Sequence, residues 1–271
     1  MKRILSVAIV ALAANGCGKT ADSDTNNNPN NVVVGDCAAT DITGEIENGA
    51  IEGDVTFCGL VVVNDDIYNS GPTTVTVRPG TVFRFGVDRY MELGWAGNEA
   101  TLNAEGTAED PIVFEGSTSE AGHWQGLRLR GSVNSDSVID HIIVRDAGGQ
   151  GEPAINNESE RGLLFKNVTI ENSGSTGLAS ASFKAGSENL SVKDSEGPAV
   201  SLLNALAVSN LPLGGTFENN SKNFVQIDFG TLDVDTTWKD ATIPTASTRI
   251  STTRGTRFSS PSNPTWSLNS T

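Results

Sequence analysis

The chain has 271 residues and a formal net charge of −15, so its surface repels nucleic acid and anionic lipid headgroups, and neither is an expected partner. Aromatic residues make up only 6% of it, whereas glycine occurs 29 times. That composition suits a turn-rich β structure rather than a helical bundle.

Lys2 and Arg3 give the start a positive charge, and Ile4 to Ala14 form an apolar stretch too short to span a bilayer. Residues 1–16 therefore read as a secretory signal peptide. Its end, Ala14-Asn15-Gly16-Cys17, resembles the lipobox of bacterial lipoproteins, although Ala14 stands where that pattern usually has Leu. The resemblance implies cleavage before Cys17 and lipidation of that cysteine; the alternative is an ordinary cysteine behind a conventional cleavage site. Gly18 in place of Asp implies, by the same resemblance, outer-membrane sorting. Several acyl chains hold a protein on a membrane, at about 0.8 kcal/mol per buried methylene. Residues 17–32, rich in Asn and nearly devoid of apolar side chains, are expected to form a disordered tether.

With Cys17 lipidated, Cys37 and Cys58 remain as a pair. In an oxidising compartment an even remainder points to a disulfide, with two buried free thiols as the alternative. Residues 33–60 are read as an N-terminal cap. From Val32–Cys37, where folding is expected to begin, to about Phe229 there is no helical periodicity, and short alternating runs stand instead: VVVN at Val61, TVTV at Thr74, TVFRF at Thr81, ATLN at Ala100 and PIVF at Pro111. Each is bounded by turn residues, as strands are.

A pattern then recurs. Val144, Ile170, Val192 and Phe217 stand 26, 22 and 25 residues apart, and Ile142, Val168 and Leu190 precede them by two, on the same face of a strand. Asp146, Asn172, Asp194 and Asn219 follow each strand, and Arg145, Glu171, Lys193 and Glu218 stand between, on the outer face. Periods of this length built from strands indicate a stack of coils. Equivalent residues would lie about 4.8 Å apart, with amide hydrogen bonds between turn residues and alternating charge outside. Arg145 is expected to pair with Glu171.

VRPGTVFRF, TLNAEGTAEDPIVFEGS and HWQGLRLRGS resemble the N-terminal coils of bacterial right-handed parallel β-helix proteins of the pectin-lyase-like superfamily. The matching elements are Pro79-Gly80-Thr81, Ala104-Gly106-Thr107, Pro111 to Phe114 and Trp124-Gly126-Leu127. The resemblance implies an all-β, right-handed parallel β-helix over 61–235 with capped ends. Residues 236–271, where TRISTTRGTRF echoes TTVTVRPGTVF, are read as a degenerate C-terminal coil or cap, which solenoid ends require.

Chemistry is sparse. Asp140, His141 and Arg145 form one cluster with acid–base potential, and the competing reading is a solvated strand face. His123 reads as a surface-loop residue beside Trp124. Arg128 and Arg130 are outward-facing candidates for a lyase-like base, but no acidic constellation is evident in the next coil. The motifs of polygalacturonase-like β-helices are missing from their context, as are hydrolase, zinc and phosphate-loop patterns. No cofactor is called for; calcium is the one ion kept open, and DVDTTWKD at Asp233 is the nearest approach to a calcium loop. The expected function is an extracytoplasmic, lipid-anchored envelope scaffold or binding module, facing polysaccharide or other envelope components. The alternative is a polysaccharide lyase or glycoside hydrolase on the same scaffold.

Overall fold

The computed structural model describes residues 37–227 and 251–252. The segments read as a signal peptide and a tether, Cys17, Asp233 and nearly all of 236–271 lie outside the described residues. The described chain is all-β. It begins with β1 (Ile42–Ile46), β2 (Gly49–Val63), β3 (Ile67–Val77), β4 (Val82–Phe85), β5 (Tyr90–Leu93) and β6 (Ala100–Glu105). There follow β7 (Ile112–Gly116), β8 (Gly126–Leu129), β9 (Val138–Arg145), β10 (Ile155–Asn157), β11 (Leu164–Glu171) and β12 (Leu178–Ser180). The last are β13 (Glu188–Lys193), β14 (Pro198–Leu202), β15 (Phe217–Glu218), β16 (Lys222–Ile227) and β17 (Ser251–Thr252).

Every pairing among these strands is parallel, and the pairings form three ladders. The first runs through the start of β2, the start of β3, and then β5, β8, β10, β12, β14, β16 and β17. The second joins the middle of β2, the end of β3, β6 and the starts of β9, β11 and β13. The third joins β1, the end of β2, β4, β7, the ends of β9 and β11, then β13 and β15. Long strands such as β2 and β9 serve two ladders, and the pairings β2–β3–β6–β9–β7–β4 consequently close into a ring of six parallel strands. Pairing starts at Ile42, so the segment expected as a cap supplies ladder strands. At the other end Gln226 and Ile227 pair with Ser251 and Thr252, which extends the first ladder into the segment expected as a final coil or cap.

The strands turn between ladders at residues in the left-handed backbone region. In β9, β11 and β13 these are His141 (φ 49°), Asn167 (φ 49°) and Asn189 (φ 57°); in β2 it is Gly59 (φ 70°). Asn tolerates this region better than other residues with a side chain, and glycine enters it freely. The second set is Asp146, Asn172, Asp194 and Asn219, with φ from 54° to 64°. The repeated Asn and Asp thus satisfy a backbone requirement as well as a hydrogen-bonding one. Asn172 Nδ2 donates to Asp146 Oδ1 at 2.8 Å.

The expected register is found. Val144, Ile170, Val192 and Phe217 are direct neighbours, and all are buried. The same column continues back through Phe114 and Phe83 to Val61. Phe83 and Phe114 stack with ring centroids 4.7 Å apart, and Phe85 stacks on Trp124 at 4.0 Å. Each such side chain contributes roughly 1.5–3 kcal/mol by leaving water. Cys37 and Cys58 form a disulfide, Cα–Cα 5.7 Å, which ties the first described residue to β2.

Two outcomes follow. Val192→Asp, which puts a carboxylate into the buried column, abolishes cooperative folding by circular dichroism; a soluble, native-like variant contradicts this register. Breaking the Cys37–Cys58 bridge, which closes a separation of 21 residues, lowers stability by about 3 kcal/mol. That loss is read from the urea midpoint with and without reductant.

Candidate functional site: a charged cleft beside the third ladder

The outer face of the third ladder carries a row of alternating charge. Arg84 is in register with Glu115, Arg145 with Glu171, Glu171 with Lys193, and Lys193 with Glu218. The pairing of Phe114 with Val144 puts Glu115 beside Arg145 and joins the two halves. Glu115 Oε1 accepts from Arg84 Nε at 2.9 Å and Nη2 at 2.8 Å. Its Oε2 accepts from Nε and Nη2 of Arg145. Lys193 Nζ lies 2.9 Å from Glu171. The expected Arg145–Glu171 pair is therefore corrected: Arg145 bonds to Glu115. Glu115 is a buried, immobilised acceptor, whereas Glu171 is engaged by Lys193. Burial works against the Arg145 charge, and its bonds to Glu115 overcome that, so its pKa stands raised.

Beside this row lies a cleft of about 540 Å³, lined by Arg84, Glu115, the loop from Gly116 to Ser119, Arg145, Asp146, Glu171 and Asn172. The cleft is polar throughout, with guanidinium, amide and hydroxyl donors beside carboxylate acceptors. Gly116 is required at its floor. A Cβ there would stand 2.7 Å from Thr118 O, 3.0 Å from His123 Cδ2 and 3.1 Å from Asp146 Cβ. Asp146 is buried. Burial raises its pKa, against the opposing effects of Asn172, Arg145 and the Gly116 N–H.

The loop brings in a residue that sequence reasoning left on the surface. His123 Nε2 is 2.8 Å from Ser117 Oγ, and its Nδ1 is 2.8 Å from Thr118 Oγ1. No motif announces this contact, because the imidazole and the hydroxyls meet only when the loop folds back over Gly116.

The other sequence candidates separate. His141 Nδ1 lies 2.7 Å from Asp140 Oδ1, which also accepts from Asn167 Nδ2 at 2.9 Å. Asn189 Nδ2 donates in turn to Asn167 Oδ1 at 2.9 Å. Asp140 and His141 thus belong to a chain of polar bonds along the turn where β9, β11 and β13 pass from one ladder to the next. Arg145 stands four residues further on, roughly 13 Å along an extended strand, so the three form no common site. Arg128 and Arg130 lie on the first ladder. Arg128 packs over the Tyr90 ring at 4.4 Å, bonds to Gln125 and is 3.5 Å from Glu152. Arg130 bonds to buried Glu92 and lies 2.6 Å from Glu158. The acidic partners that the sequence did not reveal are therefore Glu92 on the preceding strand of the ladder, and Glu152 and Glu158, which flank β10, the next strand of that ladder. The wide spacing between Arg130 and its carboxylates hid them.

Among the described residues no group of three or more His, Cys, Asp or Glu is arranged to hold a metal ion. In the cleft, both oxygens of Glu115 accept hydrogen bonds from arginine. No protein-family model matches the chain, and neither a curated protein nor a solved structure matches it.

The raised pKa of Asp146 sets a sign. Its contribution to stability is fully present below its unfolded pKa and is lost as pH rises through the higher folded value. Asp146→Asn keeps the shape and a hydrogen-bonding oxygen without the charge. It should melt above the parent at neutral pH, and the difference should close below about pH 3. Thermal melts across that range check this; a variant that melts lower at neutral pH contradicts it.

Proposed function

We propose that this chain is a lipid-anchored, extracytoplasmic protein of pectin-lyase-like architecture, a right-handed parallel β-helix with capped ends, that binds glycan in the cleft beside Arg84 and Arg145. The three parallel ladders support the β-helix reading, since a coil that returns to pair with its predecessor has this form. Right-handedness is the rule for crossovers between parallel strands of one sheet. The Cys37–Cys58 disulfide agrees with an oxidising, extracytoplasmic compartment. The lipobox-like Ala14-Asn15-Gly16-Cys17 supports anchoring of the protein to a membrane through Cys17.

The observation that carries the binding reading is the make-up of the cleft. Guanidinium, amide, hydroxyl and carboxylate groups are interleaved within about 540 Å³. A sugar presents the complementary array, since each hydroxyl both donates and accepts. Binding rather than glycosidic cleavage is favoured because the charges form a compensated ladder, Arg84–Glu115–Arg145 and Glu171–Lys193. The alternative, a polysaccharide lyase or glycoside hydrolase, draws on the concentration of arginine and carboxylate in one cleft.

The test is a panel of acidic and neutral polysaccharides, with and without calcium, in which retention, new reducing ends and unsaturated products are followed together. Retention without degradation, weakened at least about tenfold in Arg145→Ala, is the expected result. Turnover that Arg145→Ala abolishes favours the enzyme, and a folded protein that neither retains nor degrades any member sinks the glycan reading. Mass spectrometry of the mature protein checks the anchor: an N-terminal residue other than acylated Cys17 refutes it.

A further inference from the structure

The loop after β7 carries a histidine, His123, that the glycan reading does not use. Both ring nitrogens of His123 are engaged by hydroxyls, Nε2 by Ser117 Oγ and Nδ1 by Thr118 Oγ1, each at 2.8 Å. A neutral imidazole has one N–H and one lone pair. One hydroxyl therefore gives its proton toward the ring, and the other accepts the ring N–H.

The arrangement is held rigidly. Ser117 N–H donates to Phe85 O at 2.8 Å, Gly122 N–H to Ala147 O at 3.0 Å and His123 N–H to Glu120 O at 3.0 Å. The next residue, Trp124, is fully buried, stacks on Phe85 and donates from Nε1 to Arg145 O at 2.8 Å. The histidine is thus fixed to the core on one side and to the cleft loop on the other. Ser117 and Thr118 line the same cleft as Arg84 and Arg145. Glu115 occupies Nε and Nη2 of both guanidinium groups, which leaves the Nη1 donors for another partner. The backbone N–H groups of Thr118 and Ser119 make no hydrogen bond within the described residues.

We propose that Ser117 and His123 form an acyl-transfer site that hydrolyses short-chain oxygen esters of polyhydroxylated alcohols. Ser117 Oγ attacks the ester carbonyl carbon while its proton passes to His123 Nε2. The bond from that carbon to the alcohol oxygen breaks, and the departing oxygen takes the proton from Nε2. Water then attacks the acyl-serine, gives a proton to Nε2, and the acid leaves as Ser117 recovers its proton. The sum is ester and water to acid and alcohol, with no change of oxidation state. Thr118 is a positioning residue: by accepting a hydrogen bond from Nδ1–H it holds the tautomer in which Nε2 carries the lone pair and faces Ser117. The free N–H groups and guanidinium Nη1 donors beside the loop are those available to the carbonyl oxygen as it gains charge. The cleft is polar, so it favours a hydroxyl-rich alcohol and a short acyl group. The proposal does not rest on glycan binding, because its probes carry no sugar.

The experiment uses the folded protein with an active-site-directed fluorophosphonate and with p-nitrophenyl acetate. The expected result is a phosphonyl group on Ser117, located by peptide mass spectrometry, and ester hydrolysis above the buffer rate. Ser117→Ala removes both, and His123→Ala lowers each about 10²- to 10⁴-fold. Thr118→Val lowers turnover, and Thr118→Ser restores it. Circular dichroism and urea midpoints of the variants match the parent, since the loop lies outside the buried columns. Labelling of the parent needs no variant, so an unmodified Ser117 overturns the proposal by itself. Hydrolysis that persists in Ser117→Ala, or labelling that is unchanged in His123→Ala, overturns it too. Glycan retention by a protein inert to both probes refutes this site and leaves the binding reading standing.

Discussion

The structure depends on one constraint, the register of parallel strands. In a parallel ladder each residue lies beside its counterpart about 4.8 Å away on the next strand. Whatever occupies a column must therefore tolerate its own kind above and below. Val144, Ile170, Val192 and Phe217 meet this by burial in one apolar column. Asp146 and Asn172 meet it with an amide-to-carboxylate hydrogen bond. Arg84, Glu115 and Arg145 meet it with opposite charges. One geometric rule thus produces the core, the corners and the charged row.

The same rule shapes the cleft. A carboxylate between two guanidinium groups holds both in fixed orientations, and each then presents its remaining donors beside the Gly116–Ser119 loop. That loop leaves the end of β7 and folds back over Gly116, where there is no side chain in the way. Stability and the make-up of the cleft therefore share residues: Glu115 holds the row together and also sets the orientation of the donors that line the cleft. Asp146 contributes to both in the opposite sense, since its burial disfavours the charge that its neighbours stabilise.

Much of the ladder register was legible in the sequence because columns repeat. The outward row from Arg145 through Glu171 and Lys193 to Glu218 and the turn column from Asp146 to Asn219 needed only spacing. The partner of Arg145 was misread. Spacing finds register neighbours but cannot choose between two, and Glu115 lies outside the recurring motif, before a longer excursion of the chain. The partners of Arg130, Glu92 and Glu158, escaped for the same reason. Asp140, His141 and Arg145 looked like one cluster because they are close in sequence. An extended strand instead sends His141 to a corner and Arg145 to the cleft.

By itself, the sequence determined the all-β class, a repeat of 22 to 26 residues and the identity of the buried column, because each follows from periodicity; it pointed to a Cys37–Cys58 disulfide only through the lipobox resemblance that sets Cys17 aside, and the structure makes that bridge. Only the tertiary structure decided which carboxylate holds Arg145, that Glu92 and Glu158 flank Arg130, and that His123 joins Ser117 and Thr118. Those contacts arise in loops and between ladder strands separated by unequal lengths of chain, where side chains meet through three-dimensional closure and leave no period in the chain.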